Sequence, residues 1–305
     1  MNDAEPIKCP DCAGRADRIG KIPATDQFAG RTLSHLLDGG YLYRCNDCFL
    51  GFKWPHLSKQ QLDTLYAQGG DSTWRNAENT RWDWRIGHNW IRQGSQRGGR
   101  ILDVGCFDGG FLEPLVAEYK CHGIEIHPVA AQRARDHGIE ILGNDLSAIS
   151  GSFDVVTAFD VIEHVERPGK FLEDCLAATN QHGFVIISSG NLDALSFRLM
   201  GARYWYCAIG EHIAFVSPRW FSNGRVSEQY TVLRQTSFTH GDGRWLQRMR
   251  DTGVNLAYRF AGAGFRALRM RGMGRKNVQV HPELADHPPG WLSAKDHIIV
   301  LIQKR

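Results

Sequence analysis

From residue 100 onward short apolar runs alternate with amphipathic stretches, and few folds accept that rhythm. "RILDVGC" reads as a strand entering a glycine turn, "FLEPLVAEY" as a helix, "CHGIEI" as a strand and "PVAAQRARDHG" as a helix. "IEILGNDL" and "FDVVTAFDVIEH" then read as strands, followed by the helix "PGKFLEDCLAATN" and the strand "GFVIISSGN". Strands apolar on both faces, separated by amphipathic helices, predict an α/β architecture with a parallel, doubly wound sheet. Ligands of such sheets sit beyond the carboxyl ends of the strands. With 305 residues, the chain has room for one such domain and a small appendage.

The appendage lies at the N-terminus. The start, "MNDAEPIKCPDC", lacks the basic-then-apolar pattern of a secretion signal, and no apolar run approaches the about 20 residues of a membrane span. A cytoplasmic chain with reduced thiols is expected, so its eight cysteines are read as metal ligands or core residues before disulfides. "CPDC" and "CNDC" place Cys9, Cys12, Cys45 and Cys48 in two knuckles, each able to aim two sulfurs at one ion. The 32 residues between the pairs are a long closure, but its entropic cost grows slowly with length. Residues 1–56 are therefore expected to be a zinc-binding domain with a closed, structural four-thiolate site. Two unrelated turns that carry cysteines are the alternative. Gly14 and Gly51 follow the knuckles, where the backbone must curl back toward sulfur.

Residues 57–98 read as a helical linker or lid. Ser58 and Gln61 have capping-box spacing ahead of Leu62, Leu65 and Tyr66. In "TRWDWRIGHNWI", Trp82, Ile86 and Trp90 recur at four-residue spacing and would share a face, either packed on the core or closing over a cleft.

"ILDVGCFDGG" opens the sheet. A dinucleotide fingerprint needs a glycine where this chain has Phe107, which disfavours a pyrophosphate ligand. An acid, Asp103, stands two residues before Gly105, and a further glycine stands at 109. This loop resembles the first motif of class I S-adenosylmethionine-dependent methyltransferases. The resemblance implies that residues 99–305 are a methyltransferase domain. It implies that Gly105 lets the backbone approach the aminoacyl part of the cofactor, and that Asp103 organises the loop or holds the cofactor amino group. Glu125, 22 residues past Asp103, ends the second strand, where an acid can accept both ribose hydroxyls. Asp145 ends the third strand, where the family places an acid facing the adenine amino group. The implied cofactor-binding set is Asp103, Gly105, Cys106, Gly109, Glu125, Ile126, Asp145, Leu146 and Phe159. As thiols, Cys106, Cys121, Cys175 and Cys207 show no ligand pairing and read as small buried residues.

"RYWYCAIGEHIAFVSP" follows the fifth strand. It resembles a segment of deoxysugar C-methyltransferases that also carry a four-cysteine zinc domain. Their E-H-x-x-[aromatic]-x-S pattern is met by Glu211, His212, Phe215 and Ser217. The resemblance implies His212 as general base, Glu211 in support, and an aromatic run, Tyr204 to Tyr206, walling a sugar. A packed histidine bonded to a backbone carbonyl is the bland alternative. His164, beside Glu163 in the loop after the fourth strand, is the rival base. Those enzymes continue into a further C-terminal domain, which leaves carbon and oxygen methylation both open here.

Residues 240–290 read as a basic insertion. Residues 241–276 hold nine Arg or Lys against two Asp, with Trp245, Leu246 and Met249 alongside. Phosphates of a nucleotide-linked sugar, an anionic membrane surface, RNA, or simply solvent would suit residues 240–276. The net charge of +3 is too mild to argue for nucleic acid. The leading expectation is methyl transfer to a sugar or nucleotide-linked sugar. The runner-up is an RNA methyltransferase whose zinc module holds nucleic acid, disfavoured by the acids of the N-terminal segment such as Asp11, Asp17, Asp38 and Asp47. A non-catalytic module with a vestigial cofactor fold is the third reading, and the intact Asp103, Gly105, Glu125 and Asp145 set opposes it.

Overall fold

The computed structural model describes residues 7–67, 81–149, 153–241, 244–271 and 277–305. Part of the expected linker (68–80) and the pieces 242–243 and 272–276 of the basic insertion lie outside the described residues. In chain order the elements begin with β1 (Ala16–Lys21), β2 (Thr25–Phe28), β3 (Arg31–Leu37), β4 (Tyr41–Cys45), β5 (Gly51–Trp54), α1 (Lys59–Ala67) and α2 (Trp82–Gly94). The Rossmann-like part follows as β6 (Arg100–Val104), β7 (Lys120–Ile124), α3 (Pro128–Asp136), β8 (Glu140–Gly143), β9 (Phe153–Phe159), α4 (Pro168–Ala178) and β10 (Thr179–Gly190). The chain ends with α5 (Leu195–Met200), β11 (Ala214–Phe215), α6 (Pro218–Asn223), β12 (Tyr230–Phe238), α7 (Trp245–Met270) and β13 (His297–Lys304).

Seven strands form one sheet in the order β12-β13-β10-β9-β6-β7-β8. β8, β7, β6, β9 and β10 run parallel, while β13 pairs antiparallel with both β10 and β12. The chain leaves β6 first to one side and later to the other, so the crevice for a ligand opens at the carboxyl end of β6. Leu102, Val156, Val185, Ile187 and Val300 fill one face of this sheet, and Ile101, Val155, Ile186 and Ile299 the other.

Local chemistry explains several elements. The Ser58 amide donates to Gln61 Oε1 at 2.9 Å and the Gln61 amide to Ser58 Oγ at 3.3 Å, so the capping box closes α1 as its spacing predicts. The segment "FLEPLVAEY" is not the expected helix: only a 3-10 turn forms, over Glu113–Leu115. Pro114 stands in the first turn, where proline is tolerated; the segment ends instead because the Glu118 and Tyr119 amides both donate to the Leu115 carbonyl and the chain enters β7 at Lys120. On α2 the buried face is Asp83, Gly87 and Ile91, one step from the expected tryptophan stripe, and Trp82 is 47 % exposed. Gly87 allows this, because a Cβ there would stand 3.0 Å from Phe159 and 3.3 Å from Phe111. Asp83 is tolerated inside because Arg81 grips it with two hydrogen bonds and Ser188 Oγ donates to it at 3.2 Å. The face bearing Ile86 and Trp90 packs only partly against the core.

The cysteine knuckles belong to a second sheet, ordered β1-β4-β5-β11. Its last strand comes from the segment after Glu211–His212, with Ala214 opposite Phe52 and Phe215 opposite Gly51. The module is also pinned by Asp11, whose Oδ1 accepts from the Gly169 amide at 2.9 Å and Oδ2 from Trp220 Nε1 at 3.0 Å. Replacement of Asp11 by Ala would strand both buried donors, at about 1–3 kcal/mol each. Thermal or urea denaturation of Asp11→Ala should therefore show a loss of several kcal/mol, and wild-type stability would contradict the pinning role.

Candidate functional site

In the cysteine cluster, Cys9 Sγ lies 3.6 Å from Cys48 Sγ and Cys12 Sγ 3.4 Å from Cys45 Sγ. All four sulfurs fall within 4.8 Å of one another. Tetrahedral Zn–S bonds of about 2.3 Å would set sulfurs about 3.8 Å apart, so the donor set fits a zinc ion. The turns reverse at Ala13 and Phe49, with φ of 59° and 63°, rather than at the glycines beside them. Gly14 and Gly51 are crowded instead: a Cβ would stand 2.1 Å from Asp47 Oδ2 and 2.6 Å from a methyl of Leu192, so those side chains would have to shift.

At the end of β6 the chain enters the left-handed region at Gly105 (φ 70°), Phe107 (φ 48°) and Gly109 (φ 84°). Gly109 suits this position because its φ is left-handed and a Cβ would meet Ile139 Cδ1 at 2.2 Å and the Ala134 backbone at 3.3 Å. The loop is tied to Glu125, whose Oε2 accepts from the Phe107 amide at 2.9 Å and Oε1 from the His127 amide at 2.7 Å. The carboxylate that would receive ribose hydroxyls is thus held in place by two backbone donors. Burial pushes its pKa up, against those hydrogen bonds. Asp103 is buried under the loop and accepts from Thr157 Oγ1 at 2.6 Å, and burial raises its pKa to about 7.

The remaining predicted cofactor residues divide. Ile126 is 67 % exposed at the lip, an apolar side chain without a cover. Asp145 is exposed, and its Oδ1 caps the following turn by accepting from both the Ser147 amide and hydroxyl. Leu146 is buried in the core. The Phe159 ring lies 4.3 Å from that of Phe111, inside the packing under α2. The Cys106 side chain faces Gly123, where a Cβ would stand 2.4 Å from its sulfur, so it has only its backbone to offer a ligand in the loop. Burial pushes the thiols of Cys106, Cys121, Cys175 and Cys207 up, which keeps them protonated and unreactive.

The structure brings Glu163, His164 and His212 together, with ligand atoms within 4.8 Å of one another. His164 and His212 meet edge to face at 4.9 Å between ring centroids. His212 Nδ1 faces the Tyr206 carbonyl at 3.2 Å. A carbonyl only accepts, so the neutral ring carries its proton on Nδ1 and its lone pair on Nε2. The ring is buried, and desolvation, reinforced by His164 and Lys53, lowers its pKa well below 6.5. Glu211 is buried beside it, with Oε2 unpartnered among the described residues. An uncompensated carboxylate oxygen in that position is costly unless a ligand donates to it.

The aromatic run is not the open wall that the sequence implied. Tyr204 and Tyr206 are buried struts. Tyr204 donates to Asp296, and the Tyr206 hydroxyl donates to Glu163 Oε1 at 2.5 Å while accepting from the Gly190 amide at 3.0 Å. Ser189 Oγ donates to the other Glu163 oxygen at 2.9 Å. Glu163 therefore ties β10 and the Tyr206 turn to the loop after β9, and the turn carries the carbonyl that orients His212.

Three participants have no sequence motif. Lys53, on β5, is buried, donates from Nζ to the Ile209 carbonyl at 3.1 Å, and has its pKa lowered to about 8 by burial. A lysine in the apolar run "GFKW" was the one available signal. Tyr66, on α1, places its hydroxyl 3.2 Å from His164 Nδ1. Arg81 links Asp83 on α2 to Asp160 on the cofactor side, with 2.6 Å to Asp160 Oδ2.

Residues 82–223 match the family model described as a methyltransferase domain. That match runs across the parallel strands and the glycine loop described above. The chain is 34 % identical over 130 residues to the ubiquinone biosynthesis O-methyltransferase of Bordetella bronchiseptica, covering 38 % of this chain and 54 % of that protein. It is 30 % identical over 134 residues to the mitochondrial enzyme of that name from Schizosaccharomyces pombe, covering 40 % and 46 %. The chain spans about half the length of the curated relatives it matches. An S-adenosylmethionine dependent methyltransferase from Mesorhizobium loti aligns with a TM-score of 0.48 at 14 % identity, covering 75 % of this chain and 100 % of that one.

Proposed function

We propose that the chain transfers a methyl group from S-adenosylmethionine to a small hydroxylated acceptor, a sugar or nucleotide-linked sugar, with His212 as the general base. The observation that carries this reading is the buried His212 ring, oriented by the Tyr206 carbonyl at Nδ1 and gathered with Glu163 and His164, next in sequence to Glu211, whose Oε2 has no partner among the described residues. The bound cofactor supplies a methyl group on a sulfonium. Glu125 and the Gly105–Gly109 backbone would hold it, and a cationic cofactor amino group near Asp103 would favour the ionised form that burial otherwise opposes. Glu211 accepts a hydrogen bond from one acceptor hydroxyl and so fixes the ring. His212 Nε2 would take the proton of the acceptor hydroxyl when the methyl group passes from the sulfonium sulfur, which keeps the bonding electron pair, to that oxygen. His164, aligned by Tyr66, packs against the base. Zinc in the four-cysteine site would be structural, because all four positions are protein ligands.

The name of the Bordetella relative, an O-methyltransferase, favours oxygen over carbon as the acceptor atom. A methyl-transfer screen with labelled cofactor against nucleotide-linked sugars, free sugars, hydroxylated aromatic rings and structured RNA tests the reading. Transfer to a sugar class supports it; transfer to RNA alone would move the chain to the runner-up.

Glu125→Ala removes one or two charge-assisted hydrogen bonds to the cofactor, about 1.5–3 kcal/mol each. Calorimetry should show at least about a tenfold loss of S-adenosylmethionine affinity, a factor worth about 1.4 kcal/mol. Undiminished binding would contradict the assignment.

A further inference from the structure

One face of α7 is anchored and the other is bare. Asp251 Oδ2 accepts from Ser293 Oγ at 2.8 Å, Asn255 Nδ2 donates to the Gly290 carbonyl at 3.3 Å, and the Tyr258 hydroxyl donates to the Asp286 carbonyl. These contacts fix the rotation of the helix. They turn Trp245, Leu246, Met249 and Phe260 outward, the last 82 % exposed. The bare face continues onto α5, where Leu195 and Leu199 are also exposed. Arg259 Nε, which donates to the Leu199 carbonyl at 3.3 Å, joins the two helices.

The rim of this apolar surface has one sign. α7 carries five arginines and a single acid, Asp251, which is buried and accepts from Arg250 Nη2 at 3.3 Å. Arg248, Arg250 and Arg259 on α7 and Arg198 on α5 are exposed. Helical geometry places Arg248 and Arg259 on one flank of the bare face and Arg250 on the other. No described helix is long and apolar enough to cross a membrane.

We propose that this face of α7 and α5 docks the protein on the surface of an anionic lipid bilayer. Exposed tryptophan and aliphatic side chains enter the headgroup boundary, and the arginines pair with lipid phosphates. A second copy of the chain is a poor occupant, because a two-fold interface sets each arginine rim against its own image. RNA is a poor occupant as well. It would satisfy the arginines but leave Leu195, Leu199, Leu246 and Met249 with no base plane to stack on.

Co-sedimentation of the full chain with vesicles decides the matter. Binding is expected to vesicles of equal parts phosphatidylcholine and phosphatidylglycerol, to weaken as salt is raised, and to be absent with phosphatidylcholine alone. Arg248→Gln combined with Arg250→Gln should weaken binding about thirtyfold, and Leu246→Glu with Met249→Glu should abolish it. All four residues are exposed, so circular dichroism and cofactor affinity should be unchanged in both variants. Failure to bind anionic vesicles, equal binding to neutral ones, or unaltered binding by either variant overturns the proposal. So does a wild-type dimer in light scattering that Leu246→Glu with Met249→Glu splits, since the face would then be an interface between copies. None of these outcomes bears on His212 or on methyl transfer.

Discussion

His212→Asn should lower turnover by about 10²–10⁴, the usual worth of a positioned proton acceptor, and leave cofactor affinity unchanged. Asparagine keeps similar bulk and can still donate to the Tyr206 carbonyl, but it takes no proton near neutral pH. The adenosyl-side groups, Glu125 and the Gly105–Gly109 loop, belong to other strand ends and do not touch the ring. Glu211→Gln should lose less, by disturbing the acceptor's orientation alone. The pH profile gives a second readout. Burial holds the His212 pKa well below 6.5, so the rate should rise with pH along a limb below 6.5 and level off by neutrality. A solvent-exposed histidine base would put the midpoint of that limb near 6.5. The variant should lack the limb. The same shift acts on stability: above pH 6.5 the ring is neutral folded and unfolded. Below it, the unfolded chain takes a proton that the folded ring refuses, so stability falls with pH until the folded pKa is passed. Normal turnover in His212→Asn together with a dead His164→Asn would transfer the role to the loop after β9.

Zinc removal should have the other large effect. Metal analysis should find about one equivalent per chain, and structural zinc in such sites contributes free energy of about 10 kcal/mol or more. Cys45→Ala should abolish metal retention and unfold the β1-β4-β5 sheet in circular dichroism and limited proteolysis. Because β5 pairs with β11, the loss should extend to the Glu211–His212 segment and stop turnover. The cofactor loop on β6 and β7 makes no such pairing, so S-adenosylmethionine affinity should largely survive. A metal-free protein of equal stability would refute the zinc assignment. Loss of cofactor binding in parallel with turnover would refute the division between the two parts.

What the sequence determined by itself is what depends on neighbours along the chain. The two-residue cysteine spacing, the Ser58–Gln61 capping box, the glycine turn after "ILDV" and the alternation of apolar strands with helices are all set by local backbone geometry. They were legible because 3.6-residue and two-residue periods are written directly in the side-chain order. Even here an exception intervened, where "FLEPLVAEY" closed into a single 3-10 turn and ran on into β7. The tertiary structure decided everything that joins distant residues. Nothing local in "RWDWRIG" tells that Asp83 rather than Trp82 faces inward, because the choice depends on Arg81, on Ser188 105 residues away, and on rings that need Gly87 beside them. Asp11 meets Trp220 across 209 residues, and Tyr206 meets Glu163 across 43. Sequence could name His212 and Glu211 as a pair. Only the fold showed that Tyr206 orients the imidazole through its carbonyl, that Lys53 from the cysteine module lowers its pKa, and that one oxygen of Glu211 has no partner among the described residues. Such contacts follow from burial and from the closing of long loops, and neither leaves a period in the chain.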